Sequence, residues 1–329
     1  MTVLNSADES LSPDVATPAV VGRTLRQIAL NRIKRDKVAI VCAISLVVIT
    51  LLAVLAPLIC HLFHVDPYTF NADTISDNGG LPIGKFGGVS WKHPLGVEPL
   101  TGRDVMARLL YGSRVSLLIA VLATTIVVTT GVLIGIFSGY SRGWIDSVLS
   151  RTMDLTLAFP FLLVVIAMSP VLEQRLVSFG IPAGNPARVL TLVLLLSIFG
   201  WPYLARLIRG QVLSMREREF VEAATSIGTG TSRMVLKELL PNLWAPILVY
   251  ATIAMPGFIG AEAALAYLGI SVQPPTPTWG AMLEESVNYF TVDPFYMFVP
   301  LTMLLVAVLS FNMLGDALRD ALDPKADRN

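Results

Sequence analysis

Charge is scarce in this sequence. Of 329 residues, 24 are Lys or Arg and 24 are Asp or Glu, or 15%, while 54% are hydrophobic; soluble chains carry about 25% charged residues. That shortage excludes a soluble globular composition. Net charge is zero, so no overall field attracts nucleic acid. Two cysteines and three histidines leave little material for redox, metal or hydrolytic chemistry. Cys42 and Cys60 share one apolar run, where helical geometry sets them roughly 27 Å apart, too far for a disulfide. His61, His64 and His93 belong to one loop or its edge, which leaves no Ser–His pair at bilayer depth.

Uncharged stretches cover 38–65, 115–141, 155–172, 189–205, 239–261, 263–283 and 294–315. A helix of about 20 apolar residues crosses a hydrocarbon core roughly 30 Å thick. The stretch 263–283 contains Gln273-Pro274-Pro275-Thr276-Pro277, whose prolines lack donors and break any lipid-facing ladder. Six transmembrane helices are expected, in an all-α polytopic membrane protein. Arg23, Arg26, Arg32, Lys34, Arg35 and Lys37 precede the first apolar run, which is too long for a signal-peptide core and reads as a retained anchor. Pro160, Pro202 and Pro256 are expected to interrupt the third, fourth and fifth spans, as kinks or as packing adjustments.

Lys and Arg concentrate on the cytoplasmic side of membrane proteins. With both termini cytoplasmic, 17 of the 24 basic residues fall inside and seven outside. The expected division is a cytoplasmic tail 1–37, a first span 38–60 and an extracytoplasmic loop 61–112. A core, 113–316, follows with five spans and a cytoplasmic loop 206–241, then a cytoplasmic tail 317–329.

In that cytoplasmic loop, Phe220, Val221, Ala224 and Ile227 form an apolar stripe at helical spacing. Gly228 and Gly230 end the helix, since glycine tolerates the left-handed conformation of a C-terminal cap. Thr231 or Ser232 caps a second helix with Met234, Val235 and Leu239 on its apolar side, up to Pro241. Small Ala223 and Ala224 beside Glu222 suit docking into a groove on a partner. An amphipathic helix lying on the bilayer fits the periodicity equally well.

Three further features need weighing. Gly79 to Phe86 matches a phosphate-loop spacing but has Phe86 where a magnesium-ligating hydroxyl belongs. Cys60, His61, His64 and Asp66 cluster near the end of the first span, yet histidine at a membrane boundary is more often an interfacial polar residue than a metal ligand. Glu262 is the one carboxylate well inside an expected span; a structural or gating role fits it better than substrate contact, because unpaired burial is costly.

Glu222-Ala223-Ala224, Gly228 and Glu238-Leu239-Leu240-Pro241 resemble the EAA motif of membrane subunits of ATP-binding-cassette importers, with Glu238 departing from the usual pattern. His93-Pro94-Leu95-Gly96, Gly102-Arg103-Asp104 and Tyr111 to Leu117 are similar to the segment before the second helix in C-type permeases of oligopeptide and dipeptide importers. Tyr267-Leu268-Gly269, Gln273 to Pro277, Trp279-Gly280 and the tail Leu314 to Pro324 resemble the same subfamily. The resemblance implies an ABC type I importer permease fold in a bacterial cytoplasmic membrane. It implies ATPase coupling through Glu222, Ala223, Ala224, Gly228 and Pro241, and ATP with Mg held by two partner ATPase subunits, with no catalytic residue, metal or cofactor on this chain. A homologous second permease, an extracytoplasmic substrate-binding protein and the lipid bilayer complete the implied partners, and peptides are the implied substrate. Nickel or another small solute is the alternative within that family. An ion-gradient carrier, the competing class, would need more intramembrane ionisable residues than Glu262.

Overall fold

The computed structural model describes residues 32–322 except 78 and 142; the expectations for the outer parts of both tails, including Arg23, Arg26 and Lys325, lie outside the described residues. Helices run over α1 (Lys37–Val54), α2 (Ala56–Phe63), α3 (Val105–Tyr140), α4 (Trp144–Ala158), α5 (Phe161–Ser178), α6 (Asn185–Arg216), α7 (Glu219–Ser226), α8 (Thr231–Tyr267), α9 (Trp279–Val287) and α10 (Pro294–Leu322). Six of these, α1, α3, α5, α6, α8 and α10, are long and apolar enough to cross a membrane. Among the described residues the only β-type pairing is two isolated bridges, Ile75 with Pro82 and Val97 with Asp104.

Each uncharged stretch expected to span produced a spanning helix, but several boundaries differ. The expected span 38–60 is two helices, because Pro57, near the start of α2, has no N–H for the carbonyl four residues back. α3 begins at Val105, inside the expected loop 61–112: Asp104 caps it, accepting from the Ala107 N–H at 2.7 Å. The stretch 155–172 straddles a break at Phe159-Pro160, where the residue before proline is held extended, so the span is α5. Pro202 and Pro256, by contrast, lie inside the unbroken α6 and α8. The expected loop 206–241 is mostly helical continuation, since α6 reaches Arg216 and α8 starts at Thr231.

Glycine sets the central packing. A Cβ on Gly131, Gly135 or Gly139 would stand 2.9 Å from Leu204 Cβ, 2.7 Å from the Ala205 carbonyl oxygen and 2.8 Å from Val212 Cβ. Small residues one turn apart let two backbones approach closely, and the rising register makes α3 and α6 parallel. α10 runs antiparallel to α8, with Gly315 against Ile253, and to α1, with Cys42 Sγ 3.9 Å from Met313 Sδ and Arg32 donating to the Asp320 carbonyl at 3.3 Å. One end of the bundle therefore gathers the N-terminal and C-terminal ends of the described chain with the turn 217–230. The opposite end carries 64–104, 179–184 and 268–293.

Candidate functional site

At the first end, α7 is fixed by its inner side and open on its outer side. Val221 and Ala224 are buried in a cluster with Met215, Met234, Leu239 and Leu243, so they tie α7 to α6 and α8 at once. Glu222 and Ala223 are exposed. Ile227, expected on the buried stripe, is 83% exposed, because the helix ends at Ser226 and the chain turns away. Gly228 makes that turn at φ +77, with open space around it. α8 then starts at Thr231 behind Gly230, and Met234–Leu239 widens into a π-turn just before Pro241, which lacks the N–H that regular winding would use. Pro241 lies within a continuous helix and does not begin one.

Salt links bind the same end together. Arg209 donates to both carboxylate oxygens of Asp146, at 2.7 and 2.8 Å, and Ser138 donates to the first of them at 2.7 Å. The Arg209 guanidinium holds the Asp146 carboxyl well below the usual carboxylate range. Arg216 donates to the Gly139 carbonyl at 3.1 Å.

Glu262 is fully buried near the other end of α8. Ser271 donates to it at 2.6 Å and Ser116 at 3.4 Å, with Thr278 and the Gly280 amide also bonded to the carboxylate. Ser116 in turn accepts the Trp279 backbone N–H at 3.1 Å, while the Trp279 indole donates to Ser113 at 3.0 Å. One carboxylate thus staples α8, α3 and the segment 271–280 together. The carboxylate is wholly enclosed by these partners.

Next to it lies a second buried polar assembly. Glu98 pairs with Arg103, and its Oε2 is 3.0 Å from Arg108 Nε. Arg108 donates to Glu285 at 3.0 Å, and the Tyr296 hydroxyl reaches the same oxygen at 3.0 Å. His93 Nδ1 lies 2.8 Å from Asp104, whose carboxyl burial pushes up against the opposing pull of the Ala107 amide and His93. Arg103 and Arg108 fall within the expected loop 61–112, and no pattern in the sequence marks them as buried.

Cys60 is buried against α3 whereas His61 and His64 are exposed, and no three His, Cys, Asp or Glu side chains converge as a metal site among the described residues. After Gly79–Phe86 no helix begins until Val105, so the segment has no helix N-terminus for a phosphate.

Comparison with known proteins decides what this bundle is. The family described as binding-protein-dependent transport system inner membrane component matches residues 131–328. The chain belongs to that family. Residues 24–78 match a second family, the N-terminal transmembrane domain of oligopeptide transport permease C. The permease is 35% identical over 297 residues to the dipeptide transport system permease protein of Alkalihalophilus pseudofirmus, covering 90% of this chain and 89% of that one. It is 34% identical to the oligopeptide transport system permease protein of Bacillus subtilis (90% and 88% covered) and 33% to that of Escherichia coli K12 (93% and 93%). Among solved structures, the MetNI methionine ABC transporter in inward-facing conformations gives a TM-score of 0.53 at 19% identity, covering 66% of this chain and 97% of that one. The fold is that of an ABC importer permease, and the protein is a multi-pass component of the bacterial inner membrane.

The permease also has an apolar groove of about 360 Å³ between α4, α5, α6 and α8. Phe159, Phe161, Phe199, Tyr203, Tyr250 and Phe258 line it, and Gly257 opens on it with nothing within 4 Å of a Cβ placed there. The groove was not expected from the sequence; its signal there is the set of aromatics gathered around Pro160, Pro202 and Pro256.

Proposed function

We propose that the permease is one of two homologous membrane subunits of an ATP-driven, binding-protein-dependent peptide importer. The end carrying 217–230 faces the cytoplasm, in keeping with the excess of basic residues there, and the end carrying 64–104 meets a substrate-binding protein. Two ATPase subunits hold ATP and Mg, and this chain hydrolyses nothing. The observation that carries the reading is α7: a helix anchored by Val221 and Ala224 to two spans while Glu222 and Ala223 stay exposed.

Such a helix works as a lever. A force on Glu222, Ala223 or the turn at Gly228 passes through Met215 into α6 and through Met234 and Leu239 into α8, because close-packed contacts transmit displacement. ATP-driven closure of the ATPases moves α7, and α6 and α8 rearrange the aromatic groove, this subunit's wall of the path. Pro241 keeps the junction of lever and span in register, and Glu262 acts structurally, holding the outer segment 271–280 against the moving helices.

Uptake of a labelled dipeptide by cells carrying the whole transporter tests this. Glu222→Lys, at an exposed position, and Gly228→Trp, which has open space but at φ +77 distorts the turn itself, should abolish uptake with normal membrane insertion. Normal uptake in both variants would refute coupling at this helix. Normal insertion with uptake of another solute class, and none of peptides, would refute the substrate.

A further inference from the structure

Trp91 is 100% exposed, on the loop between α2 and α3. A tryptophan is large and mostly apolar, and its average environment is strongly buried. The other exposed aromatic rings of this loop have partners: Phe86 meets Phe295 edge-on at 5.9 Å, Arg103 lies over Phe70 at 5.7 Å, and Tyr68 meets Tyr111 at 6.3 Å. Trp91 has no such ring contact. It opens a cleft of about 520 Å³ with Phe63, Val89, Ser90 and Pro94.

Phe63 identifies what lies alongside. It ends α2, which continues the first spanning helix α1 after Leu55, and the outward surface of the two is apolar along its length: Val41, Ile44, Val47, Leu51, Leu58 and Leu62 are all more than half exposed. An apolar surface of that length on a spanning helix suits lipid. Across α1 and α2 together, Lys37 to Phe63, the chain climbs at most roughly 39 Å at about 1.5 Å per residue, whereas hydrocarbon is about 30 Å thick and the bilayer with headgroups about 40–45 Å. Phe63 therefore stands at headgroup depth, and the cleft it shares with Trp91 is continuous with the lipid-facing stripe. Tryptophan favours that depth because its ring is apolar and its indole N–H polar. Lys92, the next residue, is exposed and places a cation beside the cleft.

We propose that Trp91, Phe63 and Val89 form a wedge seated in the headgroup region of the leaflet opposite the 217–230 turn, with a phospholipid in the cleft and Lys92 on its phosphate. The wedge anchors the 64–104 loop to the bilayer. This inference rests on the spans and not on the direction of transport or on the substrate.

A nitroxide at position 91 (Trp91→Cys) in the assembled transporter, reconstituted in phospholipid vesicles, tests it by collision with oxygen, which concentrates in lipid, and with a nickel chelate, which stays in water. Leu62→Cys is the lipid reference and Asp73→Cys, exposed on the same loop, the water reference; Cys42 and Cys60 are buried, and the unsubstituted transporter serves as blank. The oxygen-to-nickel ratio at 91 should be several-fold above that at 73 and approach that at 62. High nickel access would mean the ring projects into water, and low access to both reagents would mean a protein partner covers it; either overturns the proposal. Because Trp91 is unpacked, the substitution leaves the fold intact, and a peptide-uptake failure elsewhere in the molecule would not alter this readout.

Discussion

Gly135 and Gly210 show how differently two glycines of one bundle are constrained. A Cβ on Gly135 would meet the Ala205 carbonyl oxygen at 2.7 Å and Ile208 Cβ at the same distance, whereas one on Gly210 meets nothing within 4 Å. Gly135→Val must push two helix backbones apart, and overpacking of this kind costs about 1–3 kcal/mol. Its melting temperature in detergent should fall clearly, while Gly210→Ala, relieved of glycine's helix penalty of about 1 kcal/mol, should melt at the wild-type temperature or above. Asp146 offers a pH test. Its carboxyl is depressed in the folded state, so its contribution is complete above the ordinary carboxylate pKa and is lost as pH falls through the lower folded value. Wild type should lose more stability than Asp146→Asn on acidification from about pH 5 to 3, by less than about 1 kcal/mol because the pair is partly exposed and screened; parallel melts at each pH would check it. At this scale the sequence exposed Gly228 and Glu262, since a glycine after an apolar stripe and a carboxylate in an uncharged stretch stand out. The partners of Glu262 were hidden, because Ser116, Ser271 and Thr278 carry no distinguishing pattern.

Among the elements, the spans were legible and their ends were not. Absence of charge marks lipid depth, but α3 starts at a buried Asp104 and contains a buried Arg108, and paired charges inside protein look in sequence like solvated ones. The short α9 was illegible for a related reason: its position depends on one residue rather than on periodicity. Trp279 is fully buried and its indole and backbone N–H groups bond to Ser113 and Ser116. Trp279→Ala should cost roughly 3–5 kcal/mol, as Trp truncations in cores do, and free α9 for proteolysis between the last two spans. Trp279→Phe keeps most of the packing and should cost less, about the 1 kcal/mol of a lost hydrogen bond plus the cavity. Equal protease sensitivity of the two variants would locate the anchor in the hydrogen bond alone. The groove makes its own prediction: Gly257→Phe fills open space, so it should block peptide uptake while leaving the melting temperature unchanged.

Across the whole molecule, the few charges are divided by state as well as by side. Glu222, Arg218 and Arg233 are exposed at the end that carries α7, whereas Glu98, Arg103 and Arg108 are buried at the other. That buried group joins the loop before α3 to α9 and α10 across some of the longest separations in the chain, and no local pattern could reveal it. Arg108 is its hub, facing both Glu98 and Glu285. Removing one partner of a buried ion group strands the others, a loss of about 3–5 kcal/mol. Arg108→Met should therefore lower the melting temperature sharply and expose 64–104 to protease. Adding Glu98→Gln leaves Arg103 beside Glu285, 4.0 Å away, with charge balanced. The double variant should be more stable than the sum of the two singles, by an interaction of about 0.5–3 kcal/mol for groups in one network. Strict additivity in that cycle would mean the two residues act separately, and that the outer end is held by packing around Trp279 and Tyr296 rather than by its charges.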